Sequence, residues 1–146
     1  MLKRRAMSLL FALLLCGFAG CSGCGPHTED IKQATAAGDA WLKFIDQGNY
    51  DQAYAQTGAQ FKKTIDKEAW VKQITPYRGA LGSVGSRKVD SAEYSDSIPE
   101  LESGQYVRLK YTTSFQHGPN SYEEVTVQKE NDGVWRIMGY YVRFAR

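Results

Sequence analysis

The chain has 146 residues, 42% of them hydrophobic, with 18 Lys and Arg against 16 Asp and Glu and a net charge of +2. That length supports one sizeable core and not two, and so even a charge balance removes the electrostatic ground for nucleic acid as a partner. The three cysteines, with only two histidines (His27 and His117), form no second pair at ligand spacing, which argues against a structural metal site or a disulfide framework.

Residues 1–20 begin with Lys3, Arg4 and Arg5 and run uncharged from Met7 to Cys16. Roughly a dozen apolar residues fall short of the ~20 that span a bilayer as a helix, and small residues follow at once, so the stretch predicts a cleaved signal peptide rather than an anchor helix. Phe18-Ala19-Gly20-Cys21 resembles the lipobox of bacterial lipoproteins, although Phe18 stands where Leu is usual. The resemblance implies that Cys21 becomes the lipidated first residue of the mature chain, with the membrane as its partner. Ser22 after it implies, by the same analogy, the periplasmic face of the outer membrane if the source is a diderm. Cys24 then remains as a second acyl site, an intermolecular partner or an inert thiol. Removing the leader takes away three of the 18 cations, leaving 15 against 16 acids, a net charge of −1, with the cations scattered rather than striped.

Residues 21–27 are the lipidated Cys21 and a short, turn-rich linker, whose six residues from Ser22 to His27 reach only about 20 Å when fully extended, and residues 28–146 are expected to form a single domain. Thr28 is placed to cap a first helix, with Glu29 and Asp30 in its first turn. Ile31, Ala34, Gly38, Trp41 and Ile45 recur at spacings of three and four, with Leu42 beside them, and Gly48 ends the helix. Asn49 with Gln52 resembles a capping box for a short second helix carrying Tyr50, Ala53 and Tyr54 and closed by Gly58. Asp66 opens a third, with Trp70, Val71 and Ile74 on one side and Pro76 near its end.

Beyond the glycines at 79, 82 and 85 the period changes to two, and four strands are expected at 86–94, 105–116, 121–129 and 134–144. Asn131-Asp132-Gly133 is a hairpin signal, and Gln116-His117-Gly118-Pro119-Asn120 reads as a turn with a surface histidine. The glycine run lacks the lysine of a phosphate loop, and Ser83 lacks the setting of a nucleophile elbow, so neither a cofactor nor a catalytic serine is expected. Val107, Leu109, Tyr111, Thr113 and Phe115 share one strand face. Helices first and an antiparallel meander afterwards read as α+β, three N-terminal helices packed on a curved four-stranded sheet. That arrangement looks like the cystatin-like or NTF2-like cone.

The stretches AWLKFIDQGNYDQAY, FKKTIDKEAWVKQITPYRGALGSVGSR, SGQYVRLKYTTSF and DGVWRIMGYYVR together resemble the bacterial domain of unknown function 4019. The resemblance implies an exported, NTF2-like domain and supplies no catalytic residue. A pocket between helices and sheet is expected to draw on Trp41, Tyr54, Trp70, Arg87, Tyr111, Glu123 and Trp135, since indoles and phenols suit the rim of an apolar site. Arg87 and Glu123 share strand phases with apolar residues, but their places near strand ends read as solvated. The functional expectation is a non-catalytic, lipid-anchored binding module for a small apolar ligand or an envelope partner. The alternatives are an isomerase or dehydratase of the cone-fold type, or a structural protein of the envelope. In the last strand Trp135, Ile137 and Tyr141 share one phase, and Met138, Tyr140, Val142 and Phe144 the other. With both faces reading as buried, a homodimer is one way to cover the outer face.

Overall fold

In the computed structural model, which describes residues 25–99 and 101–144, helix α1 spans Thr28–Asp46 and buries Ala34, Gly38, Trp41, Leu42 and Ile45. The stripe read from the sequence is therefore the buried one. The proposed signal peptide, the lipidation at Cys21 and the thiol of Cys24 lie outside the described residues. Capping differs from expectation. His27, with φ 67°, occupies the N-cap and offers no side-chain cap, while the Thr28 hydroxyl turns back to donate to Gly25 O at 2.7 Å. The His27 ring stacks on Tyr94 at 3.6 Å, and Asp30 accepts from Lys129 at 2.9 Å.

Among the described residues four helices form, not three. Helix α2 (Tyr50–Ala55) is capped by Asn49, whose side chain accepts from Gln52 N. Gly58 does not close it but starts α3 (Ala59–Thr64), a six-residue helix with no fully buried residue. Its first N–H, that of Ala59, donates to Glu130 Oε1 at 2.6 Å, so a residue far along the chain caps it. Helix α4 (Lys67–Leu81) starts at Asp66, whose carboxylate accepts from Ala69 N at 2.8 Å, and runs five residues past Pro76 to Gly82 at φ 75°. An interior proline costs about 3 kcal/mol. Here Arg78 and Leu81 continue the buried stripe begun by Trp70 and Ile74, and burying Leu81 alone offsets about 1.5–3 kcal/mol.

The sheet is a meander, β1 (Val84–Ser95), β2 (Gln105–Phe115), β3 (Gly118–Lys129) and β4 (Trp135–Phe144), antiparallel throughout. Strand β3 absorbs Gly118, Pro119 and Asn120, leaving Gln116-His117 as the turn. On the inner face β2 buries Val107, Leu109, Tyr111, Thr113 and Phe115, and β3 buries Ser121, Glu123, Val125 and Val127. The edge strands carry extra residues, Gly85 and Asp90 in β1 and Met138 in β4, and the register slips by one at each. Such bulges twist and bend the strand that holds them. Each one also reverses the inside–outside alternation. Opposite Val127, Val125 and Glu123 lie Ile137, Tyr140 and Val142, so Trp135 and Ile137 of one phase and Tyr140 and Val142 of the other share one inner face joined through Met138, while Tyr141, opposite Glu124, falls on the outer face. The reading of two buried faces is corrected, and with it goes the sequence argument for a second molecule.

Beyond β4 the sheet edge is occupied. Gly58 N–H donates to Ile137 O at 2.8 Å and Ile137 N–H to Gln56 O at 3.2 Å. Farther along, the Tyr77 hydroxyl accepts from Val142 N at 2.9 Å and donates to Val142 O at 3.2 Å. On the outer face Tyr106 is nonetheless buried, with Ile98 and Gly104 beside its ring, and its hydroxyl donates to Glu102 O at 2.7 Å.

Helix α1 lies close against the sheet at Gly38, where an added Cβ would lie 2.4 Å from Leu109 Cδ1, whereas at Gly79 on α4 it would meet nothing within 4 Å. Both are helix-interior glycines, so alanine gains the same propensity of about 0.8–1 kcal/mol at either place. Overpacking costs about 1–3 kcal/mol only at the first. Gly79→Ala is expected to raise the stability read by urea denaturation by about 0.5–1 kcal/mol, and Gly38→Ala to lower it. A Gly38→Ala protein as stable as Gly79→Ala would refute the close approach.

Candidate functional site

Inside the cone, at the C-terminal end of α1, four charged side chains from four elements meet. Glu123 on β3 is fully buried, Arg78 on α4 is 5% exposed, Arg87 on β1 16% and Asp46 of α1 26%. Arg87 bridges the two carboxylates in bidentate fashion. Its Nε and Nη2 donate to Glu123 Oε2 and Oε1 at 2.6 and 3.2 Å, and its Nη1 and Nη2 to Asp46 Oδ2 and Oδ1 at 2.6 and 2.9 Å. Arg78 Nη2 donates to Asp46 Oδ1 at 3.0 Å and Nη1 to the Tyr140 hydroxyl at 3.3 Å, with the guanidinium over the Phe115 ring at 4.7 Å. The Tyr140 hydroxyl and the Thr113 hydroxyl donate to Glu123 Oε1 and Oε2 at 2.7 and 2.5 Å.

Two cations balance two carboxylates, the condition under which charges survive burial. Glu123 accepts four hydrogen bonds, which fills the lone-pair directions of a carboxylate. Burial disfavours the Arg87 cation, but its hydrogen bonds to Asp46 and Glu123 outweigh that and hold its pKa above the ordinary value. Burial, and next the Glu123 charge, push the Tyr140 phenol well up. Burial and the adjacent Asp39, which accepts from the Tyr111 hydroxyl at 2.9 Å, do the same to Tyr111.

The expected pocket residues are divided among separate places. Arg87 and Glu123 belong to the ionic cluster, which corrects the reading of both as solvated strand ends. Trp41 packs edge-on to Tyr140 at 5.1 Å and donates its Nε1 to Ala53 O at 2.9 Å. Tyr54 and Trp70 join Tyr50 and Phe61 in an aromatic cluster, with the Tyr54 hydroxyl donating to Ile65 O at 2.8 Å. Trp41 and Trp135 do share a cleft, of about 220 Å³, with Ala37, Ala40, Phe44, Gln56 and Ile137. Trp70 lines another, of about 260 Å³, with Tyr77 and Tyr140. His117 is exposed in its turn, Nδ1 3.3 Å from Ala80 O.

Asp46, Arg78, Thr113 and Tyr140 completed the cluster without being singled out from the sequence. One signal was available for Arg78, a cation four residues after Ile74 on a buried stripe. Among the described residues no group of three or more His, Cys, Asp or Glu side chains is placed to hold a metal ion, and no helix there is long and apolar enough to cross a membrane.

The chain belongs to the family of proteins of unknown function DUF4019, whose profile matches residues 37–140. A solved structure of similar fold is an NTF2-like family protein from Streptomyces avermitilis suggested to be a dehydratase. It is 9% identical, with a TM-score of 0.54 over 81% of this chain and 97% of that one, a likeness of fold. No curated protein matches the sequence.

Removing one member of a buried ion cluster strands the others and costs about 3–5 kcal/mol. Glu123→Ala is therefore expected to lose that much stability by urea denaturation, and Lys32→Ala, at an exposed position, less than about 0.5 kcal/mol. The alkaline side follows from the two phenols. Their pKa values are raised in the fold, while an unfolded phenol titrates near ~10. Above that pH the unfolded chain holds fewer protons on these groups than the native one, so the phenols' contribution to stability is constant below about 10 and falls as pH rises further. Tyr111→Phe should reduce the slope of stability against pH above ~10 by about one proton. An unchanged slope would show that the phenol titrates freely in the fold.

Proposed function

We propose that this DUF4019 chain is an exported, lipid-anchored protein of the cell envelope whose single α+β domain works by binding a small apolar ligand or an envelope partner and carries out no chemistry of its own. The observation that supports this most is the filling of the cone's interior. A general base needs a free lone pair facing a space that substrate can enter, and Glu123, the buried acid of the cone, spends all its lone pairs on Arg87, Tyr140 and Thr113. The dehydratase suggested for the S. avermitilis protein favours the enzymatic alternative by fold alone, and one fold hosts many functions.

The basic and apolar leader with Phe18-Ala19-Gly20-Cys21 supports the address. Acyl chains contribute about 0.8 kcal/mol per buried methylene, so several of them hold a domain at the membrane permanently. The linker keeps that domain within about 20 Å of the surface.

Intact-mass measurement of protein taken from native membranes is expected to find acyl mass on residue 21, and Cys21→Ala to abolish it. An unmodified N-terminus created at another residue would reject the anchor. For the non-catalytic reading, whatever defect deletion of the gene causes should be complemented by Glu123→Gln and by His117→Ala at a temperature where both variants stay folded. A folded Glu123→Gln protein that fails to complement would reinstate the enzyme.

A further inference from the structure

The occupied edge of β4 has one gap. Alternate residues of an antiparallel strand turn both main-chain groups to the same side. Val142 turns its N–H and C=O outward to the Tyr77 hydroxyl, so Tyr140, two residues earlier in unbroken register with β3, turns its own outward as well. Ile137, beyond the bulge, has the 56–58 segment on that side. The outward N–H and C=O of Tyr140 have no partner among the described residues; the hydrogen bonds of this residue on that side of the strand are left open, while its phenol is engaged with Arg78 and Glu123.

The gap lies beside a slot. Trp70, Gln73, Ile74 and Tyr77 follow one another along α4 at spacings of three and four, and with Tyr140 they line a space of about 260 Å³. One turn of helix advances about 5.4 Å and two residues of strand about 6.8 Å. With Tyr77 at Val142, the turn before it, Gln73 and Ile74, therefore comes alongside Tyr140. Tyr140 is part-exposed although its hydroxyl is held inside the ionic cluster, and the slot is the concavity it lines.

The chemistry of an occupant follows from these walls. None of the residues lining the slot is charged, so an ion entering it would lose water and meet no counter-charge. Trp70 and Ile74, each 7% exposed, offer apolar surface. A cavity of about 150 Å³ takes benzene, so about 260 Å³ accommodates a ring and a short substituent. A donor and an acceptor presented side by side by one residue match the carbonyl and the N–H of one carboxamide. An added strand cannot answer them, because Gly58 on one side and Tyr77 on the other bound the gap; an occupant reaches in across the edge rather than along it.

We infer that this slot is the ligand site of the domain, and that its ligand is an uncharged, ring-sized molecule bearing a carboxamide, whose carbonyl accepts from Tyr140 N–H and whose N–H donates to Tyr140 O. The inference deepens the binding-module reading and rests on it in taking the occupant as ligand rather than substrate.

Benzamide is the probe, added to the full chain carrying Cys21→Ser so that no lipid or detergent competes for the slot, with amide resonances and hydrogen exchange followed residue by residue. Without probe, the Tyr140 amide is expected to exchange at least about tenfold faster than that of Val142, which Tyr77 holds. Benzamide should slow exchange at Tyr140 and shift its resonance saturably, leaving the indole resonance of Trp135, in the other cleft, unmoved. Acetophenone, with a methyl group in place of the amide nitrogen, can only accept, and benzoate carries a charge; each should bind at least about tenfold more weakly. A Tyr140 amide as slow as that of Val142, no saturable shift up to the probe's solubility, or equal binding of acetophenone would each overturn the site. The measurement reads binding alone, so its failure leaves the anchored module to the mass and complementation measurements. Hydrolysis of benzamide to benzoate would overturn the module reading instead.

Discussion

Placing a carboxylate at position 123, in the middle of an otherwise apolar strand face, constrains the rest of this fold. A lone buried charge is prohibitive, and each means of neutralising it recruits another element. Thr113 and Tyr140 reach it from the two neighbouring strands, Arg87 from the far edge strand, and Arg87 in turn requires Asp46 at the end of α1. Arg78 brings in α4 through Asp46. All four strands and the two long helices are thereby tied at one point by directional bonds, while apolar contacts hold them elsewhere. Replacing such a cluster with hydrophobic residues is often neutral or stabilising, so its effect is best understood as specificity. Only one register of β1, β3 and β4 and one seating of the helices satisfies every member.

That arrangement divides the interior. One half, around Trp41, Trp70, Tyr54 and Phe61, is a packed aromatic assembly. The other is the charge cluster, closed by its own hydrogen bonds. A cone filled in this way has little central room, and two of the concavities that remain lie at its flanks, where α1 meets β4 and where α4 passes the β4 edge. The fold shared with the S. avermitilis protein accordingly conveys architecture and not a reaction.

What could be read from the chain depended on whether the determinant was local. The α1 stripe and the alternation of β2 depend on residues within a few positions, and both were legible. Strand β4 showed two apolar phases because Met138 is inserted between them, and a bulge is defined by the partner strand's count, which no single segment contains. Helix α3 is held by Glu130, which lies 71 positions from Ala59, and its own residues show little stripe beyond Phe61. Arg87 and Glu123 were placed correctly by phase and wrongly by exposure, because nothing near either one names the other. Pro76 signalled the end of a helix that Arg78 and Leu81 prolong through contacts the local rule does not weigh.

The occupied margin of β4 has a consequence for how copies of the protein coexist. An open strand edge is a template on which another molecule can polymerise. In this chain the 56–58 segment and a single phenol already use the outward hydrogen-bonding groups of Ile137 and Val142. Sheet extension from that side would first require a segment of the same molecule to be peeled away. The fold thus carries its own insurance against growing end to end.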